Sequence, residues 1–411
     1  MKKKPIAIVL GGTSPHIVLV KELKKRGYYV VLIDYLPNPP AKEYADEHIL
    51  ASTLDKECVL NIAKELNASL VISSCIDQAN SVCCYVAERM GLPHPYSFET
   101  SQLVTDKGLM KQRMLEYGIP TSSFTLTSNI EDIDWAKISF PCVVKPVDCN
   151  SSKGVHKADT KTEVKKYVEE ALCLSRTHKA IIEGYCTGNE IQVDCLALED
   201  EASIVMTRQK KMIRREKSAV LQSFGSVVPA PLSNEVSIKT TEIANKIANA
   251  FHLRNTPFFY QAIVSNKDIN VLEFAPRIGG GLSYYMLKNF VGFHAVESVI
   301  DSFLGNSLVL KRKPLEKCYR TCLLYAHPCV FDHIEGLQQL KDEGFLKEFF
   351  ITKCKGDAID EDLRSSNRVG SFIVSGKDAK ELEKKIIICL NRIKIIDTEG
   401  KDMMNRLILD N

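Results

Sequence analysis

Hydrophobic residues follow two alternating patterns in the first part of the chain. Short apolar runs at 6–10, 28–33 and 70–73 predict strands. Between and after them, helically spaced apolar positions predict helices, one reaching Arg26 and one spanning 78–90. Strands that alternate with helices are typical of a parallel sheet. We therefore expect the chain to open with a βαβ arrangement.

Later in the chain, two apolar runs carry polar side chains that could share one site. Gln261 lies within the apolar run 258–264, and Glu273 ends a run that begins at Val271. We expect these runs to be neighbouring antiparallel strands. Such a pair would place two oxygen ligands side by side, as a Mg²⁺ ion that bridges phosphate oxygens requires.

An arginine and three glycines follow directly. Arg277 is suited to the negative charge that develops during phosphoryl transfer. Gly279, Gly280 and Gly281 would let main-chain N–H groups approach a substrate closely. Taken alone, the stretch is better explained as a hairpin with a solvated carboxylate and a flexible turn.

Upstream segments carry a lysine and a small polar loop. Lys145 lies near the end of a short β-type run at 140–146, and the glycine-containing loop 148–155 is suited to covering phosphates. A strand at 180–186 runs into a connector, and an acidic segment follows at 188–194. The order is therefore lysine strand, loop, hinge, acidic strand, paired oxygen ligands and arginine.

This order and its spacing resemble the ATP-grasp superfamily over about residues 95–305. The resemblance implies an enzyme that uses ATP together with Mg²⁺ or Mn²⁺. Gln261 and Glu273 match the metal ligands of the family. Arg277 matches the arginine at the reacting phosphoryl group.

The resemblance also implies a nucleotide site. Lys107 and Lys145 would grip the phosphates, residues 151–155 would form the flexible phosphate loop, and the main chain of 183–186 would bond the adenine. Because Lys107 begins a helix, we expect its charge to be less well ordered than that of Lys145. Glu190 would bind the ribose hydroxyls. The implied ATP-binding residues are Lys107, Lys145, Ser151, Ser152, Gly154, Val155, Glu183, Gly184, Tyr185, Cys186 and Glu190.

Three positions fit the family pattern loosely or depart from it. Lys210 resembles a catalytic lysine that some members direct at the terminal phosphate, but Lys211 fits equally well. The family often has glutamate at the position of Gln261 and commonly has asparagine at that of Ala275. An alanine cannot bind a metal ion, so the resemblance leaves the number of metal ions open.

Substrate residues are expected in two glycine-bearing turns, 11–16 and 279–282, whose main-chain N–H groups could hold a carboxylate. The candidates are Ser14, His16, Gly279, Gly280 and Gly281. His16 would equally fit a turn-capping or solvent-facing role. Asp34 after the first turn suggests a dinucleotide site, but the G-x-G-x-x-G spacing is absent.

Composition indicates an ordinary globular protein. With 45% hydrophobic and 26% charged residues, the 411 residues suffice for about two to four domains. A net charge of +3 gives no support for nucleic-acid binding, and the basic run 208–217 fits a solvated face as well as an anion site. No apolar run approaches the roughly 20 residues of a membrane span. The 14 cysteines lie scattered without a signal peptide, so we expect free thiols and a cytoplasmic protein.

These observations predict an α/β and α+β multidomain protein. We expect a Rossmann-like domain at 1–106, a two-lobed ATP-grasp domain at 107–310 with a mobile lid at about 121–182, and a small C-terminal α/β domain at 311–411. The expected activity joins a small-molecule carboxylate to an amine through an acylphosphate, without nucleic-acid or membrane partners. A bicarbonate- or carbamate-phosphorylating enzyme and a regulatory nucleotide-binding protein stay open, as does a homodimer.

Overall fold

The computed structural model describes residues 4–150, 152–213, 222–361, 363 and 367–406. The helices are α1 (Ser14–Lys25), α2 (Lys56–Glu65), α3 (Asp77–Met90), α4 (Phe98–Thr105), α5 (Lys107–Glu116), α6 (Lys161–Leu174), α7 (Asn234–Ala250), α8 (Ser283–Val291), α9 (Ala295–Phe303), α10 (Leu337–Asp342) and α11 (Ala379–Arg392).

The strands are β1 (Ile6–Leu10), β2 (Tyr29–Asp34), β3 (Glu47–Leu50), β4 (Leu70–Ile72), β5 (Phe124–Thr127), β6 (Cys142–Pro146), β7 (His156–Ala158), β8 (Ala180–Gly184), β9 (Asn189–Ala197), β10 (Ala202–Met212), β11 (Ser223–Val228), β12 (Thr256–Ser265), β13 (Asp268–Ala275), β14 (Cys318–Leu324), β15 (Cys329–Glu335), β16 (Glu348–Ile351), β17 (Ala358–Ile359), β18 (Gly370–Gly376) and β19 (Lys394–Asp397).

The chain divides into two compact units, each built from separate stretches of sequence. The first unit comprises Met1–Thr121, Gln192–Met206 and Leu232–Pro314, and the second comprises Ser122–Ile191, Thr207–Pro231 and Leu315–Asn411. The mixed α/β organisation that the sequence predicts is confirmed. The division into three domains stays a prediction.

The first unit opens with a parallel sheet in the order β3-β2-β1-β4. Ala7, Ile8, Val9 and Leu10 of β1 are fully buried, as expected for a central strand of a parallel sheet covered on both faces. The predicted βαβ opening is therefore confirmed. Turns that carry site residues follow the carboxyl ends of these strands.

The rest of the first unit contains the antiparallel pair of β12 and β13 and the helix α7. The helix begins where the side chain of Ser233 accepts a hydrogen bond from Val236 N. Its Ile243 and Ile247 are buried, which gives the helix one apolar face. Tyr260 on β12 donates a hydrogen bond of 2.8 Å to the carbonyl of a residue in this helix. The strand that bears Gln261 is thus fixed against α7.

The second unit contains an antiparallel sheet in the order β5-β8-β6-β7, with α6 packed on it. Thr160 and Glu163 form a reciprocal capping box at the start of α6. Val164 and Val168 of the helix share a buried cluster with Ile182 of β8. This packing holds the strand that carries Lys145.

A second antiparallel sheet region of this unit pairs β10, β11, β14, β18 and β16 in that order. Phe372 and Val374 of β18 share a buried cluster with Leu382, Ile386 and Cys389 of α11. The predicted strand at 319–325 and the predicted closing helix at 378–393 are both confirmed, each with ends that differ by at most one residue.

Candidate active site

Gln261 and Glu273 face each other across the β12–β13 pair, where they are direct register partners. Directly opposite residues of an antiparallel pair project from the same face. Both residues are partly exposed. The prediction that two oxygen-bearing side chains lie side by side is therefore confirmed, and their role as metal ligands stays a prediction.

Lys107 lies beside this pair. It is the first residue of α5, where the carboxylate of Asp106 accepts hydrogen bonds from the amides of Gly108 and Leu109 at 2.8 and 3.1 Å. Its Nζ is 3.9 Å from Oε2 of Glu273, and the residue is only 9% exposed. Lys107 is thus buried beside Glu273, and the expectation that its charge is less well ordered than that of Lys145 stays a prediction.

The residues present fit a divalent cation that takes some of its ligands from the protein and others from phosphate oxygens. A carboxylate and a neutral amide oxygen are ligands that Mg²⁺ accepts, and this ion usually keeps waters and phosphate oxygens as well. Ala275 is buried and faces Phe259 across the strand pair. The family's further ligand position is therefore apolar. Within the described ranges, no cluster of three or more His, Cys, Asp or Glu side chains could hold a metal without such help.

Arg277 is engaged by a residue that the sequence reasoning missed. Its Nε and Nη2 contact the two carboxylate oxygens of Asp77 at 2.5 and 2.6 Å, and Nη1 donates to the carbonyl of Ile278 at 3.0 Å. Burial alone would lower the pKa of Arg277, but the charge of Asp77 and its hydrogen bonds outweigh burial and raise it. Asp77 begins α3, just after β4, and no local pattern marks it as a partner for an arginine 200 positions away.

The glycine run turns directly after Arg277. Gly279 is buried, whereas Gly280 and Gly281 are exposed. Gly281 has a φ of +60°, a conformation that favours glycine. Ser283 Oγ donates to the carbonyl of Gly280 at 2.9 Å and braces the start of α8. The turn thus presents exposed main chain, as a substrate-binding role requires.

The first glycine turn places its two candidates differently. Ser14 is exposed at the start of α1, whereas His16 is fully buried, so a solvent-facing role for His16 is wrong. Its Nδ1 lies 2.8 Å from Thr13 Oγ1 and its Nε2 lies 3.1 Å from Ser73 Oγ. Burial lowers the pKa of His16 to about 4. A neutral His16 therefore ties the turn to the end of β4.

Asp34 supports the same turn instead of pointing at a ligand. Its carboxylate accepts hydrogen bonds from the amides of Gly12 at 2.7 Å and Leu36 at 2.8 Å. The two oxygens thereby fix the loops after β1 and after β2. This structural task accounts for an acidic residue at the position that suggested a dinucleotide site.

In the second unit, Lys145 forms a buried ion pair with Glu183. Their Nζ and Oε1 atoms are 2.7 Å apart, and the residues are 7% and 3% exposed. Ser122 Oγ donates to the other oxygen of Glu183 at 3.3 Å. The family pattern implied only main-chain contacts for Glu183, so this use of its side chain was missed. The ion pair sets the direction of the Lys145 side chain.

The predicted adenine segment has part of its main chain already bonded. The amide of Gly184 donates to Ser123 O at 2.9 Å, and that of Tyr185 donates to Pro141 O at 3.2 Å. These two amides are therefore already occupied, and the adenine contacts of 183–186 stay a prediction. Cys186 is partly exposed at the end of this segment.

The predicted phosphate loop is a compact turn at its described positions. Ser151 lies outside the described residues, Ser152 is exposed, and Val155 N donates to Ser152 O at 3.4 Å. Gly154 has a φ of +69°, and a Cβ there would lie 2.6 Å from Leu174. A side chain there would have to displace the Leu174 methyl group, and the positive φ itself favours glycine.

Lys210 is paired with Glu190, at 2.5 Å between Nζ and Oε1. The neighbouring Gln209 and Asn189 side chains also bond, at 3.1 Å. The structure thus brings together the residues predicted for the terminal phosphate and for the ribose. Positions 214–217 of the basic run lie outside the described residues.

Comparison with known families identifies two segments of the chain. A family described as ATP-grasp domain matches residues 138–284. Residues 138–284 therefore form an ATP-grasp domain. A second family, described as L-amino acid ligase C-terminal domain 2, matches residues 322–397. The predicted resemblance is confirmed.

Individual relatives of this ATP-grasp protein are distant. Formate-dependent phosphoribosylglycinamide formyltransferase from Rhodococcus jostii (strain RHA1) is 25% identical over 283 residues, which are 66% of this chain and 68% of that protein. The structure of L-amino acid ligase from Bacillus licheniformis has a TM-score of 0.80 at 19% identity, covering 97% of this chain and 100% of that one. Phosphoribosylglycinamide synthetase from Anaerococcus prevotii has a TM-score of 0.75 at 17% identity, covering 96% and 100%. This chain therefore shares the fold of both structures.

The match to the ATP-grasp domain confirms the predicted class of enzyme. The ATP-grasp protein is an ATP-dependent, ADP-forming ligase that activates a carboxylate. Its fourteen cysteines are free thiols. Across the part of the chain that the structure describes, no helix has the length and apolar character needed to cross a membrane.

Proposed function

We propose that this ATP-grasp protein joins the carboxylate of an amino acid to an amine, with ATP cleaved to ADP and phosphate. Lys107 and Lys145 bind the phosphates, and Glu190 binds the ribose. Arg277 and Lys210 act at the transferring phosphoryl group. The turns at 11–16 and 279–282 hold the substrates.

The observation that carries this proposal is the arrangement of Gln261, Glu273 and Lys107. Two oxygen-bearing side chains share one face, and an ammonium group lies 3.9 Å from the carboxylate. This set matches what a metal-bound polyphosphate needs, namely oxygen ligands for the cation and a positive charge for the phosphate oxygens. A carboxylate without such neighbours would favour no particular ligand.

Mg²⁺ or Mn²⁺ would be held by Gln261 and Glu273. When bound there, the cation would neutralise charge on the phosphate oxygens. Since Ala275 offers no ligand and faces Phe259, we propose that Glu273 carries most of the protein's share of the coordination. Phosphate oxygens and water would complete its coordination.

The reaction has two steps. An oxygen of the substrate carboxylate attacks the terminal phosphorus of ATP, the bond to the ADP oxygen breaks, and an acylphosphate forms. The amine nitrogen then attacks the acyl carbon, phosphate leaves with the bonding electrons, and the nitrogen loses a proton. Lys107, Lys145 and Arg277 lower the repulsion between anions in the first step. Water must be excluded before the second step, because the acylphosphate would hydrolyse.

An amino acid is the proposed acid because of the C-terminal section. Residues 322–397 match a domain described from L-amino acid ligases, and this section lies outside the ATP-grasp segment at 138–284. The similarity to formate-dependent phosphoribosylglycinamide formyltransferase favours formate as a second candidate acid. The free thiols fit a cytoplasmic location. We also propose that the protein forms a homodimer.

The decisive test supplies ATP and Mg²⁺ with one acid and one amine class at a time. The arms are pooled L-amino acids, formate with phosphoribosylglycinamide, and bicarbonate with the same amines. Phosphate release and mass spectrometry identify the productive arm, and hydroxylamine added in place of the amine traps an acylphosphate as a hydroxamate. A dipeptide supports the proposal. Product in the formate or bicarbonate arm alone overturns the choice of acid.

The same test needs two control variants. Glu273→Gln removes the carboxylate of the proposed metal site and should abolish product in every arm. Gln102→Glu adds a charge at an exposed position of α4 and should leave turnover unchanged. Nucleotide binding without ADP release in any arm would support the regulatory alternative instead.

A further inference from the structure

The facing arrangement of Gln261 and Glu273 depends on an irregularity in β13. Ala262 faces Val271, yet the preceding residue of β12, Gln261, faces Glu273. Leu272 is therefore an extra residue, and the register shifts at this point. Such a bulge re-aims the side chains that follow it. In an unbroken register Gln261 would face Leu272, and Glu273 would project from the opposite face of the sheet.

The residue before the bulge is held from outside the strand pair. Val271 N donates to Pro120 O at 2.8 Å, and Thr121 Oγ1 donates to Val271 O at 2.7 Å. Thr121 and Val271 also form an isolated parallel bridge. Both main-chain groups of the residue before the bulge are thus fixed by the segment after α5.

A buried lysine fixes the direction of the Thr121 hydroxyl. Lys111 of α5 is fully buried, and its Nζ lies 2.6 Å from Thr121 Oγ1. An ammonium group can only donate hydrogen bonds, whereas a hydroxyl has one proton to donate and lone pairs to accept. The hydroxyl must therefore accept from Lys111, and its own proton points to Val271 O. A charged donor strengthens such a chain.

We propose that Lys111 is a positioning residue that acts through Thr121 on the bulge in β13. The relay of Lys111, Thr121 and Val271 holds the register that puts Glu273 on the same face as Gln261. Lys107, one helical turn earlier on α5, approaches Glu273 itself. One helix thus sets both the charge beside the carboxylate and the face from which the carboxylate projects. The inference rests on the proposed metal-binding function of this pair.

The test removes the hydroxyl without changing the size of the side chain. Thr121→Val breaks both contacts of the relay, Thr121→Ser keeps them, and Lys111→Met removes the charged donor. Thr240→Val is the control, because Thr240 is fully buried and its hydroxyl donates within α7, to Ser237 O at 2.7 Å. The metal affinity is measured by titration with Mn²⁺ in the presence of ADP. The electron paramagnetic resonance signal reports the free Mn²⁺.

Thr121→Val and Lys111→Met should each bind Mn²⁺ about tenfold more weakly, as expected for one lost hydrogen bond. ADP affinity in the absence of metal should stay unchanged, and Thr121→Ser should restore the metal affinity. Amide hydrogen exchange at 271–274 should be faster in Thr121→Val than in Thr240→Val. Wild-type exchange and metal affinity in Thr121→Val would overturn the inference, whereas a wild-type protein that binds neither ADP nor Mn²⁺ would overturn the proposed function.

Discussion

Arg277 and Asp77 form a two-point ion pair in which Nε and Nη2 of the guanidinium meet the two carboxylate oxygens at 2.5 and 2.6 Å. Their side chains are 12% and 14% exposed. A planar guanidinium held at two points has one orientation. Asp77 therefore aims Arg277, and an anionic substrate group that approaches Arg277 competes with a carboxylate already in place.

Arg277→Lys should keep ATP affinity and slow turnover about 10²-fold, because a point charge cannot replace the fork at Asp77 or meet the transferring phosphoryl group in the same geometry. Steady-state kinetics with varied ATP measure both quantities. Asp77→Asn should slow turnover in the same sense, since it leaves Arg277 without its aiming partner. Lost ATP affinity with an unchanged kcat in Arg277→Lys would make Arg277 a ground-state ligand.

Lys145→Met should weaken ATP binding by about 1.5–3 kcal/mol, the usual worth of a charge-assisted contact to phosphate. It should also destabilise the fold by about 3 kcal/mol, because the buried Glu183 carboxylate loses the ammonium group that it contacts. Calorimetry and urea denaturation separate the two effects. Adding Glu183→Gln should recover stability without recovering ATP affinity. Recovery of both would mean that Lys145 only neutralises Glu183.

Gln261→Glu should lower the Mg²⁺ concentration needed for half-maximal turnover. A second carboxylate beside Glu273 adds a unit charge near a divalent cation, an attraction of several kcal/mol before desolvation is subtracted. Titration of Mg²⁺ at saturating ATP checks this. Gln102→Glu on the surface of α4 is the charge-matched control. A half-saturation value equal to that of the control would show that residue 261 does not face the metal.

Gly280→Val should leave the fold intact, because a Cβ there would meet no atom within 4 Å, and should raise the KM for the acceptor. Gly281→Val should lose stability as well, since Gly281 has a positive φ that a β-branched residue adopts only with strain. Thermal unfolding and acceptor titration distinguish the two variants. A folded Gly280→Val enzyme with the wild-type KM would reduce the glycine run to a simple turn.

His16 should make the protein less stable as the pH falls. Its pKa is lowered from 6.5 to about 4 by burial, so the unfolded chain binds the proton more readily than the folded protein. The stability that neutral His16 allows is complete above about pH 6.5 and is lost progressively towards pH 4, by about 2 kcal/mol at pH 5. Urea denaturation at pH 7.5 and pH 5 should show this loss in the wild type and in a His333→Gln control. It should be reduced in His16→Asn.

The sequence predicts the strands and the facing pair of the site well, because apolar runs show which residues lie in strands and two adjacent runs favour an antiparallel pair. It does not predict Asp77 as the partner of Arg277 or the side-chain role of Glu183. Both contacts join residues far apart in sequence, and no local spacing records them. It also does not predict the burial of Lys107, which begins a helix and is only 9% exposed.

The extra residue in β13 makes the site more sensitive to chain length than to side-chain chemistry. Replacing Leu272 by another apolar residue keeps Glu273 on its face, whereas deleting Leu272 removes the offset from which that face follows. An alignment that slides this strand by one place would match the carboxylate to the wrong side of the sheet. Homologues that keep the glutamate but lack the additional position would have lost the site while appearing to retain it.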